Sequence, residues 1–382
     1  MEKEQLPELK YINVNDFNIN EKVIGIPVQT NEVAKYMKMF KGLCYNRIKT
    51  KCVIPYNSER MILLETPLKE QTQKLIQDNH LKTVETEVPL TIKNFNVNEI
   101  MKRYINKNIQ LPSSFETVGT LAHMNLKEEQ MEFKYIIGEA FLIKNYPRIQ
   151  TVITKTAEIS NEFRTFPLEV IAGIPNTEVT VICHGVKFVL DYAQCYWNTR
   201  LETEHIRIIN QMKAGEILCD AFAGVGPFAI PAALKGVKVY ANDLNPTAVK
   251  YMRINAVNNK TTIECDNMDA RDYLRKIVLE KHIQPNYILM NLPATAIEFL
   301  DCIPELYLQH CMIHCYGFSP LPNAEDLKKK AFELLKGEYP ITIREVRDVA
   351  PKKVMYCLSI FIESTKHLTS GNNVPEAKKT LN

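Results

Sequence analysis

Asp220-Ala-Phe-Ala-Gly-Val-Gly-Pro-Phe-Ala229 decides the fold, read together with Asn242-Asp-Leu-Asn-Pro246 and Asn291-Leu-Pro293. The apolar run Ile217 to Cys219 delivers the chain into a loop whose Gly224 and Gly226 let the backbone pass close to a ligand, and Pro227 opens a helix. A second apolar run, Val237 to Ala241, ends in Asp243, close to the distance at which a carboxylate can hold a ribose diol. A third, Tyr287 to Met290, leads into Asn291 on the same carboxyl edge. The pattern predicts a nucleoside-cofactor pocket at the ends of parallel strands.

The loop by itself also fits the relaxed G-x-G-x-x-G/A pattern of dinucleotide-binding proteins. Three features turn the reading away from nicotinamide. Asp220 stands just before the glycines, where it could take the ammonium of an amino-acid moiety but would repel a pyrophosphate. Pro227 removes one of the first-turn N–H donors that a phosphate would use. Asn291-Leu-Pro293 adds a polar edge from a third strand. S-adenosylmethionine suits this set better than NAD.

The chain has 382 residues, enough for two or three domains with sizeable cores. Its hydrophobic content of 46% and charged content of 24% are those of a soluble globular protein. No apolar run reaches the length of a membrane span, and the start Met1-Glu-Lys-Glu-Gln-Leu-Pro-Glu8 resembles neither a secretory signal nor a transit peptide. The expected location is therefore intracellular: cytoplasm, with nucleus or a mitochondrial-type organelle as alternatives. The ten cysteines are scattered and read as reduced, buried thiols. His310-Cys311-Met-Ile-His314-Cys315 lacks a second paired ligand set, so no metal is expected. A net charge of +3 neither demands nor excludes nucleic acid. Lys35, Lys38, Lys41, Arg47, Lys49 and Lys51, interleaved with Tyr36, Phe40 and Tyr45, read either as a phosphate-binding segment or as a solvated basic face.

Composition divides the chain into an N-terminal domain over residues 1–110, ending in the linker-like Lys102 to Ser114 stretch, a middle α+β domain over 111–195, an alternating α/β domain over 196–365 and a disordered tail over 366–382. Within the middle domain Phe115 to Leu126 reads as extended. Phe133, Ile136, Ile137, Ala140 and Phe141 mark one buried helix face stopped by Pro147. Glu178 to Cys183 and Lys187 to Leu190 form a hairpin about His184-Gly185. From Tyr196 strands and helices alternate, as in a parallel sheet covered on both faces. Asn245 is a plausible N-cap with Pro246 at the first helical position. Ile341 to Val346 and Val354 to Ile362 are joined by a short connection and are predicted to be antiparallel.

Several separated motifs then occur in the order of one family: Val118-Gly-Thr-Leu-Ala-His-Met-Asn-Leu126, Arg164 before Pro167-Leu-Glu169, Trp197-Asn-Thr-Arg-Leu-Glu-Thr-Glu-His205, the glycine loop, Asn291-Leu-Pro-Ala294 and Val346-Arg-Asp-Val-Ala-Pro351. Between about Phe115 and Glu363 the chain resembles the archaeal and eukaryotic type of tRNA guanine-37 N1-methyltransferase, a class I (Rossmann-like) S-adenosylmethionine-dependent methyltransferase. One departure is visible: Thr199 stands where the family usually has proline.

The resemblance implies methyl transfer to N1 of the guanine 3′ of the anticodon, with tRNA as partner and the N-terminal domain reaching toward the tRNA. By motif Glu204 matches the general base, Arg164 the donor to O6 and Asn291 the residue orienting the base edge. Guanine N1 carries a proton at neutral pH and O6 gains charge as it leaves, so a base and a cationic donor are what the chemistry needs. For the cofactor, Asp243 matches the ribose ligand, Leu244 its apolar neighbour, Asp269 and Ala270 the pair beside the adenine, and His205 a further contact. Tyr196 reads either as a pocket wall or as core. Glu204 and Asp269 have plainer alternatives, a carboxylate complementing a helix dipole and a loop cap. A monomer is expected. Two other activities remain open at this point: the wybutosine-pathway enzyme that transfers the aminocarboxypropyl group of the same cofactor, and a non-catalytic tRNA-binding protein with a retained methyltransferase fold.

Overall fold

The computed structural model describes residues 6–156, 167–320, 324–350 and 353–364, which fall into two compact units, the first ending at residue 177 and the second beginning at Glu178. In the first unit β1 (Ile19–Val28), α1 (Val33–Met39), β2 (Val53–Tyr56), β3 (Glu59–Leu64), α2 (Glu70–Asp78) and β4 (Val84–Leu90) build an antiparallel sheet in the order β2-β3-β1-β4. Then come α3 (Val97–Tyr104), β5 (Glu116–Val118), β6 (Leu121–Met124), α4 (Glu128–Met131), α5 (Lys134–Asn145), β7 (Thr151–Lys155) and β8 (Leu168–Gly173). Their strands make a second sheet, β5-β6-β7-β8. The expected helix face is the one that is buried, through Ile137, Ala140 and Phe141.

The boundary expected at residue 110 is not a break in packing. Ile12, Phe17, Phe95 and Ile100 share one core with Met124, Ile137, Phe141 and Val152. The buried Glu139 of α5 accepts backbone N–H groups from Lys10, Tyr11 and Ile12 at 2.6, 3.0 and 2.8 Å, so the N-terminal segment is tied to the helix of the middle segment. Polar composition between residues 102 and 114 marks a surface crossing within one unit. The basic segment is also partly structural. Phe40 and Tyr45 are buried, and Arg47 is spent on Glu21 and Glu99 at 3.0 and 2.7 Å, which leaves Lys35, Lys38, Lys41, Lys49 and Lys51 exposed.

In the second unit the hairpin of β9 (Glu178–Cys183) and β10 (Val186–Asp191) comes first, so it belongs here and not with the middle segment. His184 and Gly185 turn it with φ of 48° and 81°, the pair of positive values a type I′ turn requires. There follow α6 (Glu202–Gln211), β11 (Ile217–Asp220), α7 (Ala229–Leu234), β12 (Lys238–Asn242), α8 (Pro246–Asn258), β13 (Glu264–Asp266), α9 (Ala270–Arg275), β14 (Tyr287–Met290), a 3-10 segment Ala296–Leu306, β15 (Gln309–Ser319), α10 (Glu325–Leu335), β16 (Ile341–Ala350) and β17 (Lys353–Ser364).

The seven strands run β13-β12-β11-β14-β15-β17-β16, with β13 to β15 parallel and β17 antiparallel to both of its neighbours. Alternate residues of each central strand feed two cores. Cys219, Ile288 and Met290 join Tyr273, Leu274, Leu300 and Ile303 on one face, and Leu218, Val239 and Leu289 join Ile208, Phe228, Val249 and Met252 on the other. Burial on both faces explains why these strands read as unbroken apolar runs. The order reverses between β11 and β14, and ligands of such sheets bind outside the carboxyl ends at that switch point. β16 is four residues longer than its apolar pattern, because register shifts between Glu345 and Arg347 and between Asp348 and Ala350 let the polar stretch stay paired. Asn245 caps α8 as expected, accepting from Thr247 and Ala248, with Pro246 at the first position.

Candidate active site

Asp220 ends β11 and Asn291 follows β14, so they stand on either side of the switch point. Asp220 is fully buried and neither carboxylate oxygen has a hydrogen-bond partner among the described residues. Burial pushes its carboxyl up to about 8, against the Phe222 backbone N–H, which favours the ionised form. The Asn291 Oδ1 is likewise buried and unpaired. Uncompensated polar atoms of this kind cost about 1–3 kcal/mol each and mark where a ligand's donors belong.

The glycine loop is held open by its own backbone. Gly224 and Gly226 have φ of 56° and 94°, and a Cβ at Gly226 would come within 2.8 Å of Ile230. The Ile230 N–H donates to the Gly226 carbonyl at 2.9 Å, so Pro227 lies in the first turn leading to α7, as the sequence predicts. Asp243 joins this loop to the end of β12: its Oδ2 accepts from Gly224 N–H at 2.7 Å and its Oδ1 from Asn245 N–H at 2.9 Å. Burial raises its carboxyl, opposed by those two backbone donors. Leu244 beside it is exposed. Asp269 caps α9 by accepting from Arg271 N–H at 2.8 Å, the plainer of the two roles read for it, and Ala270 is buried next to it.

Glu204 sits in the first turn of α6 and is only 6% exposed. Arg207, one turn on, grips it with Nε to Oε2 at 2.7 Å and Nη2 to Oε1 at 2.6 Å, and Tyr316 of β15 donates its hydroxyl to Oε1 at 2.8 Å. A helix-dipole role does not require this burial or these partners. The register of β14 with β15 pairs Met290 with Cys315, and Phe318 N–H donates to the Pro293 carbonyl, so Tyr316 runs beside Asn291. Thus β15 supplies both a partner of Glu204, through Tyr316, and a partner of the Asn291 loop, through Phe318.

His205 packs its ring edge-on against Phe228 of the glycine loop at 4.4 Å between centroids, and burial brings its imidazole down to about 4, so it is neutral at physiological pH. Tyr196 is 49% exposed and accepts from the Asn198 amide at 3.2 Å, which excludes the core alternative. Arg164 lies outside the described residues. All ten cysteines are free; six, Cys311 and Cys315 among them, are buried as expected, whereas Cys44, Cys52, Cys183 and Cys265 are only partly buried. Cys183, His184 and Glu202 bring donor atoms within 4.8 Å of one another, a cluster the sequence did not single out. Its thiol is held protonated, pushed up to about 12 by burial and by its bond to Glu202.

Sequence reasoning also missed the buried amides that brace the pocket. Asn255 of α8 donates to the Val189 and Val225 carbonyls and accepts from Val189 N–H at 2.7 Å, tying the hairpin to the glycine loop. Asn242 donates to the Ala221 and Met268 carbonyls and accepts from Met268 N–H. Arg207 was findable, since i+3 is the helical spacing for an ion pair with Glu204. Tyr316 lies 112 residues from Glu204 and carries no local signal.

Comparison with known proteins agrees with this architecture. The TRM5/TYW2 methyltransferase domain matches residues 180–341, beginning close to where the second unit begins, and the TYW2 N-terminal domain matches residues 97–177. The chain is 38% identical over 372 residues to a tRNA (guanine(37)-N(1))-methyltransferase of Dictyostelium discoideum, covering 91% of this chain and 80% of that one. It is 39% identical to the corresponding protein of Phytophthora infestans, covering 94% of each. The solved complex of aTrm5 and tRNALeu shares the fold at a TM-score of 0.67 and 22% identity, covering 90% of this chain and all of that one. With such identity sustained along the length of its relatives, the chain belongs to the tRNA (guanine(37)-N(1))-methyltransferase family.

Proposed function

We propose that this enzyme moves a methyl group from S-adenosylmethionine to N1 of guanine 37 in tRNA. The observation that carries the reading is Glu204: a buried carboxylate, oriented by two donor residues, one of them on β15, which also pairs with the loop of the unpaired Asn291. The family membership and the names of the relatives support the same substrate and position.

The residues fit the cofactor by the chemistry of what they leave unpaired. Asp220 offers a buried carboxylate to an ammonium, and the two carboxylate oxygens of Asp243, already aligned by Gly224 and Asn245, have lone pairs remaining for a ribose diol. When bound, S-adenosylmethionine supplies an electrophilic methyl on a sulfonium. The protein's part is to present guanine N1 to that methyl and to remove the N1 proton as the new bond forms. Glu204 takes the proton, Asn291 holds the base edge, and Arg164 donates to O6 as charge builds there. The new N–C bond replaces the S–C bond, leaving S-adenosylhomocysteine and one proton on Glu204. The protein is proposed to act as a monomer, which light scattering checks.

The test incubates the protein with methyl-labelled cofactor and tRNA transcripts carrying guanine or adenine at position 37, then maps the product. Label confined to guanine transcripts at N1 is expected. The match of residues 97–177 to a TYW2 domain favours aminocarboxypropyl transfer as the second reading, and a cofactor labelled in that group instead of the methyl would detect it.

A further inference from the structure

Glu204 presents about four lone-pair sites as a carboxylate. Among the described residues three are taken, two on Oε1 by Arg207 Nη2 and Tyr316 OH and one on Oε2 by Arg207 Nε. The fourth belongs to Oε2. The fork of Arg207 fixes the plane of the carboxylate, because two parallel N–H donors match two oxygens in only one orientation. Tyr316 pins Oε1 from the neighbouring strand, whose register runs beside Asn291.

The charges around Glu204 sharpen the point. His314 and His205 are both lowered to about 4 by burial, so each is neutral at physiological pH. The Cys357 thiol is pushed up to about 11, first by burial and then by Glu204 itself, and the Tyr316 hydroxyl well above its ordinary value by burial. Of the described groups facing this carboxylate, only Arg207 carries a charge. Its guanidinium is raised by the same pair.

We infer that Arg207 and Tyr316 are positioning residues of the reaction: Arg207 sets its charge beside Glu204 and fixes the carboxylate in plane, Tyr316 occupies Oε1, and Oε2 is the oxygen that takes the N1 proton. This rests on the reading of Glu204 as the base. Neither residue touches substrate or cofactor in this assignment. Each acts through Glu204. A lysine at position 207 would keep a charge but lose the fork, whereas methionine would lose both.

The experiment is the pH profile of single-turnover methylation on guanine-37 transcripts, with cofactor affinity and thermal melting measured alongside. Arg207→Met is expected to move the acid limb upward by about one to two pH units, the shift an adjacent opposite charge produces, with cofactor affinity unchanged. Arg207→Lys should slow turnover while leaving the limb near its original place. Tyr316→Phe should cost about tenfold or less in rate with a smaller upward shift. Partial rescue of Arg207→Ala by added guanidinium-type cation would add support. A limb that stays put in both Arg207→Met and Tyr316→Phe overturns the inference, as does equal loss for Arg207→Lys and Arg207→Met without any shift. If Arg207→Met fails to fold, Arg207→Lys and Tyr316→Phe decide the matter by the same profile. Glu204→Gln run in parallel separates the two levels. Wild-type turnover in that variant removes the base itself, whereas an inactive Glu204→Gln with unmoved limbs in the other variants removes only the positioning roles.

Discussion

Glu204 and Asp220 are two buried carboxylates with opposite provisions, one held by three hydrogen bonds and the other without a well-formed one on its side-chain oxygens among the described residues. Glu204→Gln keeps the shape and can still accept from Arg207 through one atom, but it cannot take a proton. Turnover at neutral pH is expected to fall by about 10²–10⁴ with cofactor affinity retained, and to recover in part as pH rises and guanine ionises unaided. A defect of equal size at every pH would point to structural loss instead. For Asp220 the folded-state value near 8 lies above the ordinary 3.8, so between those values the folded chain holds a proton the unfolded chain has released. Stability from this position is therefore full below about pH 4 and is lost as pH rises toward 8. Asp220→Asn removes that slope, and the variant should be more stable than the wild type by on the order of a few kcal/mol at pH 8 and by little at pH 4. In its proposed role Asp220 would hold the ammonium of S-adenosylmethionine in its ionised form, so cofactor binding near neutrality should release a proton. Calorimetry in buffers of different ionisation heat reads this directly, and equal heats in both would remove Asp220 from the ammonium role. Glu204 and Asp220 were both visible in the sequence, but their partners were not. Helical spacing could have offered Arg207, whereas Tyr316 reaches Glu204 only because β15 lies beside β14.

At the scale of elements, β11, β12 and β14 fall within one residue of the apolar runs that announced them, since strands buried on both faces carry an unbroken apolar middle. β16 did not announce its length, because a paired edge strand needs only backbone donors and acceptors and tolerates Arg347 and Asp348 at bulges. The bracing amides were hidden for a related reason. An Asn in the middle of a helix, such as Asn255, reads as a poor helix former until its partners on β10 and in the glycine loop are known. Asn255→Ala should strand the Val189 N–H and two carbonyls without water to replace the amide. A loss of about 2–3 kcal/mol is expected in urea unfolding, together with weaker cofactor binding, because the Val225 carbonyl belongs to the loop between Gly224 and Gly226. Unchanged stability would mean that the hairpin and the loop hold their places unaided.

For the whole molecule, composition suggested a seam at residue 110, and packing puts the division at 177 and 178 instead. Loop chemistry reports where the chain crosses the surface, but only long-range burial reports which segments share a core, as Ile12 and Phe95 do with Ile137. Each unit has its own core, and every described residue assigned to the cofactor lies in the second. A ligand that binds one folded unit stabilises that unit alone, by about 2.7 kcal/mol at a hundredfold excess over its dissociation constant. Scanning calorimetry of the full chain should accordingly resolve two transitions. Saturating S-adenosylmethionine should raise one of them by roughly 5–10 °C and leave the other where it was. Asp243→Ala, which removes the carboxylate from Gly224 and from its proposed place on the ribose, should abolish that shift while both transitions persist. A single transition that moves as a whole with cofactor would mean the two cores unfold together, and the first unit would then sense occupancy of a pocket to which it contributes no described residue.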